Sequence, residues 1–133
     1  KSADASAEAE GLAQVDTVMA AVTVDSANKI LGVVIDTAQT KINFDTTGKI
    51  TTDKTAEQKT KVELGFDYGM KKAGSAREWF EQIAELEKWM VGKTVDKITA
   101  IKDASEDADL KSKVSVSISA YQAAVAEAVS KAR

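Results

Sequence analysis

Acid–base and nucleophilic chemistry near neutral pH most often starts at histidine or cysteine, and this sequence contains neither. Their absence removes the usual general base, the thiolate nucleophile and the commonest ligands for zinc, copper and haem. A serine nucleophile would have to depend on lysine, and one stretch brings the two types together at Lys111, Ser112, Lys113, Ser115 and Ser117. A lysine base must be desolvated to lose its proton. The stretch alternates polar with apolar residues without burying its lysines, so no catalytic residue is assigned. Asp103, Glu106, Asp107 and Asp109 offer oxygen atoms to calcium, but the central glycine and terminal bidentate glutamate of an EF-hand are missing. They read as a solvated acidic loop, and no metal site is assigned. Trp79 and Trp89 could stack on a sugar or flavin ring, although Trp79 shares a helical stripe with Ile83, Leu86 and Met90 and reads as core. Tyr68 and Met70 flank Gly69 in an aromatic loop that also holds Phe66, and such loops supply pocket walls.

The elements that must position these groups follow from composition and periodicity. The chain has 133 residues, with 18 Lys+Arg against 21 Asp+Glu and a formal net charge of −3. That length suits one domain, and the charge balance gives no basic face for nucleic acid. Without proline there is no PxxP recognition, and no run of about 18 apolar residues spans a membrane. The chain starts at Lys1 with neither an initiator methionine nor the apolar region of a signal peptide, as expected for a mature or trimmed chain. Residues 1–12 begin small and polar and are expected to form a disordered tether or frayed helix ahead of a single domain over 13–133.

From Gln14 to Asp53 the vocabulary is that of strands. Val15–Val24 alternates and is rich in β-branched residues, with a helical reading of Val15, Met19 and Val22 as the competitor. Asp25–Lys29 reads as a turn. Ile30–Thr37 is apolar on both faces, as in a central strand, with Gly32 marking a bulge or close approach. Lys41–Phe44 and Lys49–Thr52 read as a hairpin around Asp45–Gly48. The second half is helical. Thr55–Gln58 is a possible capping box for a short helix ending at Gly65, and Ser75–Glu78 is a stronger box for a helix running to about Val91. Thr94 opens a short segment bearing Val95, Ile98 and Ile101. Lys113–Ser119 alternates like a strand and leads into an alanine-rich helix with Tyr121, Ala124, Val125, Ala128 and Ala132 on one face. The expected fold is α+β, an antiparallel sheet of three to five strands with helices packed on one side.

The run Ser115–Ser119 leading into Ala120–Val129 resembles the C-terminal signature of the bacterial FMN-binding domain family. There a Gly-Ala-Thr-x-Thr-Ser stretch enters an alanine- and valine-rich helix. Ser115 falls on the first family threonine and Ser117 on the second, while Lys113 and Val114 stand where the family has glycine and alanine. Asp45–Ile50 is similar to the family's opening half. Thr60–Gly65, Tyr68–Lys71 and Glu78–Gln82 are similar to lipid-anchored surface proteins of Gram-positive anaerobes, which generally lack an assigned activity. The threonine that carries covalent flavin in the family is absent, and glycine matters there because a Cβ obstructs approach of the backbone to phosphate.

The resemblance implies an extracytoplasmic, cell-surface domain, with any membrane connection running through a tether outside this chain. Two functions stay open. One is a non-enzymatic binding or scaffold module that recognises an envelope protein. The other is a noncovalent FMN-binding electron-transfer domain. For the latter, phosphate would sit at Ser115, Ser117, Ser119 and Lys113, near the N-terminus of the last helix, and the ring near Tyr68 and Met70. A serine cap that merely starts the helix accounts for the same serines.

Overall fold

The computed structural model describes residues 1–132. Strands β1 (Ser2–Ala3), β2 (Gly11–Val24) and β3 (Ile30–Phe44) form an antiparallel sheet in the order β1-β2-β3. Four helices follow: α1 (Lys61–Leu64), α2 (Trp79–Met90), α3 (Val95–Ile98) and α4 (Ser119–Lys131). The protein is therefore α+β, with α2 lying against β3 and α4 against β2.

The β2–β3 hairpin dominates the sheet, with strands of 14 and 15 residues. Its turn is set by Asp25, whose Oδ1 accepts from the Ala27 and Lys29 amides at 2.8 and 2.9 Å, and by Asn28, which adopts a left-handed φ of 57°. Asparagine tolerates that region because its short polar side chain bonds locally. The register slips between Thr23 and Val24, leaving Leu31 unpaired beside Gly32.

Ile30–Thr37 and Lys41–Phe44, expected as separate strands, are one strand, since Ala38, Gln39 and Thr40 contain no breaker. That strand lies at the margin of the sheet and β2 is central. Its two-sided apolarity arises because Leu31 and Val34 are exposed on the face away from the helices. The returning strand at Lys49–Thr52 reduces to an isolated bridge between Phe44 and Ile50. The segment expected as a tether contains β1 and the start of β2. Its order comes from backbone pairing that composition does not reveal: Gln14 N–H donates to Lys1 O at 2.8 Å, and Ser2 and Ala3 pair with Ala13 and Leu12. Gly11 is needed where the segment passes Phe44, because a Cβ there would lie 2.3 Å from the ring.

On the covered side the core joins Ile30 and Ile35 of β3 to Trp79, Ile83, Leu86 and Met90 of α2 and to Ile118, Tyr121, Val125 and Val129. The α2 stripe is the one expected, but its cap is displaced. Glu78 is the N-cap, in a reciprocal box with Glu81, and its buried carboxylate also accepts from the Met70 and Lys71 amides at 2.8 and 3.2 Å. Amide donors from the loop and from the first turn of the helix satisfy this buried acceptor. The box of α1 is Thr60 with Glu63, not Thr55 with Gln58, which leaves α1 a single turn closed by Gly65. On α4 the buried face is Tyr121, Gln122, Val125 and Val129, with Gln122 Nε2 donating to Ile98 O and Ile101 O at 2.6 and 3.0 Å.

Lys113–Ser119 is not a strand before the helix. Val114 and Ile118 are buried and Ser115 and Ser117 exposed, so the alternation expresses one-sided packing. No ladder is needed to produce that pattern.

Candidate functional site

Ser115 and Met70 meet at one side chain, Gln82 of α2, which is 1% exposed. Gln82 Oε1 accepts from Ser115 N at 2.8 Å, Val116 N at 3.2 Å and Ser115 Oγ at 3.2 Å. Its Nε2 donates to Arg77 O at 3.1 Å and lies 3.9 Å from Met70 Sδ. The amide that would have gripped a phosphate therefore already has an acceptor. Lys113 is also engaged, 3.0 Å from Glu85, and the Lys113 and Lys88 hydrogen bonds hold the Glu85 carboxyl below its ordinary range. Ser117 and Ser119 are exposed, their hydroxyls 3.4 Å apart. Neither caps α4: Ile118 is the N-cap and Ser119 the first helical residue. The three serines thus do not converge on one point.

Tyr68 stands apart from this group, on a 3-10 turn over Gly65–Tyr68. Lys61 Nζ lies 5.0 Å from its ring centroid and 5.4 Å from that of Trp79. Lys61 is only 8% exposed, and no carboxylate among the described residues lies within 4.0 Å of it. Two π faces take the place of a direct ion pair. Trp79 in turn donates Nε1–H to Tyr121 OH at 3.0 Å, with the rings edge to face at 6.0 Å. Asp16 of β2 receives Gln14 Nε2 at 2.8 Å and Gln39 Nε2 at 2.7 Å. Partial burial works to raise the Asp16 carboxyl, but these two amides, with Lys61 and the N-terminal ammonium, hold it below its ordinary value.

Beside this group a cleft of about 410 Å³ opens between Gln39, Lys41, Lys59, Leu64, Asp67 and Tyr68. Its charges are mixed, with lysines and carboxylates on the same walls. Lys61, Gln39 and Gln82 gave no sequence signal, because each acts through a neighbour that only the fold supplies. The acidic loop uses its carboxylates on its own turns: Asp103 Oδ1 accepts from Ser105 N at 2.9 Å and Asp107 Oδ1 from Asp109 N at 2.8 Å. Asp107 Oδ2 takes the Trp89 indole N–H at 2.9 Å.

The other surface feature is the sheet face opposite the helices. Odd-numbered residues of β2 project there, with Val15 63% and Met19 43% exposed, beside Val34 at 64% and Ile42 at 39% on β3. Thr17, Ala21, Thr23, Ala38 and Thr40 fill the spaces between, as the pairing register requires. Asp36 is the charged residue of this face, and its Oδ1 turns to the Thr37 and Val62 amides at 2.6 and 3.2 Å. No protein-family model, curated protein or solved structure matches this chain.

Proposed function

We propose that this chain is a non-enzymatic binding or scaffold module of the cell envelope, an extracytoplasmic domain related to FMN-binding domains and tethered to the membrane. Its binding surface in this reading is the uncovered face of the β2–β3 hairpin, and its partner is an envelope protein. One observation carries the reading: Val15, Met19, Val34 and Ile42 are exposed apolar residues on one face of the hairpin, which among the described residues no helix covers. A solvated sheet face ordinarily alternates to polar residues, and contiguous apolar patches mark interaction sites. The engagement of Ser115 by Gln82 supports the absence of a phosphate role for that serine. Among the described residues no helix is long and apolar enough to cross a membrane. A photo-crosslinking residue placed at Val34, compared with one at exposed Val91, tests the surface in an envelope preparation. A discrete adduct from position 34 alone is expected, and equal labelling from both positions would refute the assignment.

A second reading, noncovalent FMN binding for electron transfer, is favoured by the Tyr68 cleft, whose volume and aromatic wall suit a planar ring and where Lys41 and Lys59 stand beside Glu57 and Asp67. A flavin would carry the electrons there and the chain would orient it. Titrating FMN fluorescence against the protein and against Tyr68→Ala tests this reading. Quenching that the variant loses supports it, and fluorescence unchanged by the parent protein eliminates it.

A further inference from the structure

We infer that the outer edge of β2 between Asp16 and Val22 is a strand-docking site, and that its occupant is the same edge of a second copy of this chain. The inference goes beyond the face-binding reading above and uses different atoms, backbone groups on the edge instead of side chains on the face.

The direction of those groups follows from the register. Gln14 donates its N–H to Lys1 O, and its C=O accepts from the Lys1 ammonium at 3.2 Å, so both point away from β3. In an antiparallel ladder that direction recurs at every second residue, which assigns the outward groups to Asp16, Val18, Ala20 and Val22. β3 agrees: Thr37 and Ile35, opposite Val18 and Ala20, send their N–H groups to the far side, toward Asp36 and Glu87. β1 covers only Leu12 and Ala13. Among the described residues none hydrogen-bonds the outward backbone groups from Asp16 to Val22.

The two margins of the sheet are treated differently. On β3, Ile30 exchanges backbone bonds with Lys93 and Gly92 at 3.0 and 2.7 Å, and Ile35 N–H reaches Glu87 Oε1 at 2.7 Å. Ala38 bridges Thr60, and Asn43 N–H donates to Thr52 Oγ1 at 2.7 Å. β2 has no such cover, and Thr17–Val24 contains no charge, glycine or proline. An unpaired edge of this kind is a template for another strand.

The complementary strand must be extended, uncharged over the same length and free on its own edge, and Thr17–Val24 meets all three conditions. A two-fold axis at Met19 sets Asp16 opposite Val22 of the second copy and Val18 opposite its Ala20, so no like charges face each other. On the helix side, a hollow of about 240 Å³ leaves Val18 and Ala20 half-covered beside Ala124 and Ala128. Those small side chains admit a close neighbour. Glu127 and Lys131 at its rim pair with each other, so the rim sets no uncompensated charge against a second copy.

The test is amide hydrogen exchange by NMR together with sedimentation, over a concentration series up to roughly 1 mM. Dimerisation is expected to slow exchange at Asp16, Val18, Ala20 and Val22 by about tenfold or more while the odd-numbered β2 amides stay protected throughout. Val18→Pro removes an outward N–H that the β2–β3 ladder does not use, and is expected to abolish the dimer. Val91→Lys, at an exposed position away from β2, is expected to leave it intact. Should Val18→Pro fail to fold, the parent's exchange pattern decides alone. A chain that remains monomeric overturns the inference, as does a dimer in which these four amides still exchange fast, or protection already complete in the monomer.

Discussion

Replacing Gln82 with methionine nearly preserves volume while deleting the amide that joins α2 to the segment before α4. In the parent, Gln82 accepts from Ser115 N at 2.8 Å and Val116 N at 3.2 Å and donates to Arg77 O at 3.1 Å. At about 1 kcal/mol net per bond these amount to roughly 3 kcal/mol. The Ser115 hydroxyl is left out, since it is exposed and water replaces its partner. Burial of the thioether offsets about 1 kcal/mol, so the expected destabilisation is about 2 kcal/mol. With an unfolding entropy of about 2.1 cal/mol/K per residue, that loss lowers Tm by about 7 °C. Differential scanning calorimetry reads the shift, and NMR exchange locates it: the Ser115 and Val116 amides should lose protection while mid-α2 amides keep theirs. A Tm within about 2 °C of the parent, with Ser115 and Val116 still protected, would mean that a strand ladder holds this segment, and the account of Gln82 would fail.

Tyr121→Phe removes the acceptor of the Trp79 indole N–H, which is buried at 1% exposure; the expected cost is about 1–3 kcal/mol, and an unchanged urea midpoint would contradict it. Burial holds the Glu87 carboxyl above its ordinary range, the Ile35 amide opposes that shift, and Asp36 adds repulsion. The folded chain then keeps the Glu87 proton at pH values where the unfolded chain has released it, so stability from this group declines as pH rises from the ordinary glutamate range through the raised value. Glu87→Gln lacks this slope, and urea unfolding of both proteins between about pH 4 and 8 should show the variant gaining relative to the parent as pH increases. Gly11→Ala puts a Cβ 2.3 Å from the Phe44 ring and 2.9 Å from Ala5 N. Overpacking of this kind costs about 1–3 kcal/mol, and a variant as stable as the parent in thermal melts would show that the amino-terminal segment does not pack there.

The fold class, the turn at Asp25–Lys29 and the α2 stripe were legible because each rests on local periodicity or turn chemistry. Boundaries failed where tertiary contacts decide. Ser75 has the local pattern of a cap for α2, but Glu78 takes that place because its carboxylate also serves the loop amides of Met70 and Lys71. The alternation at Lys113–Ser119 has the period of a strand, yet one-sided burial of Val114 and Ile118 yields the same pattern in an irregular segment anchored by Gln82. Of the expected site, Met70 and Ser115 do come together, whereas Tyr68 belongs with Lys61 and Asp16. That second group could not be read along the chain, since Asp16 and Lys61 are held near each other only by the pairing of β2 with β3 and the bridge from Ala38 to Thr60.

The unequal margins of the sheet set a limit on assembly. Since β3 is already engaged at Ile30, Ile35, Ala38 and Asn43, a copy that joins along β2 presents a far margin occupied at those points, which disfavours a second addition there. Stacked filaments require each unit to be adhesive on both flanks. This hairpin, long and apolar as it is, therefore favours a closed pair over fibre formation.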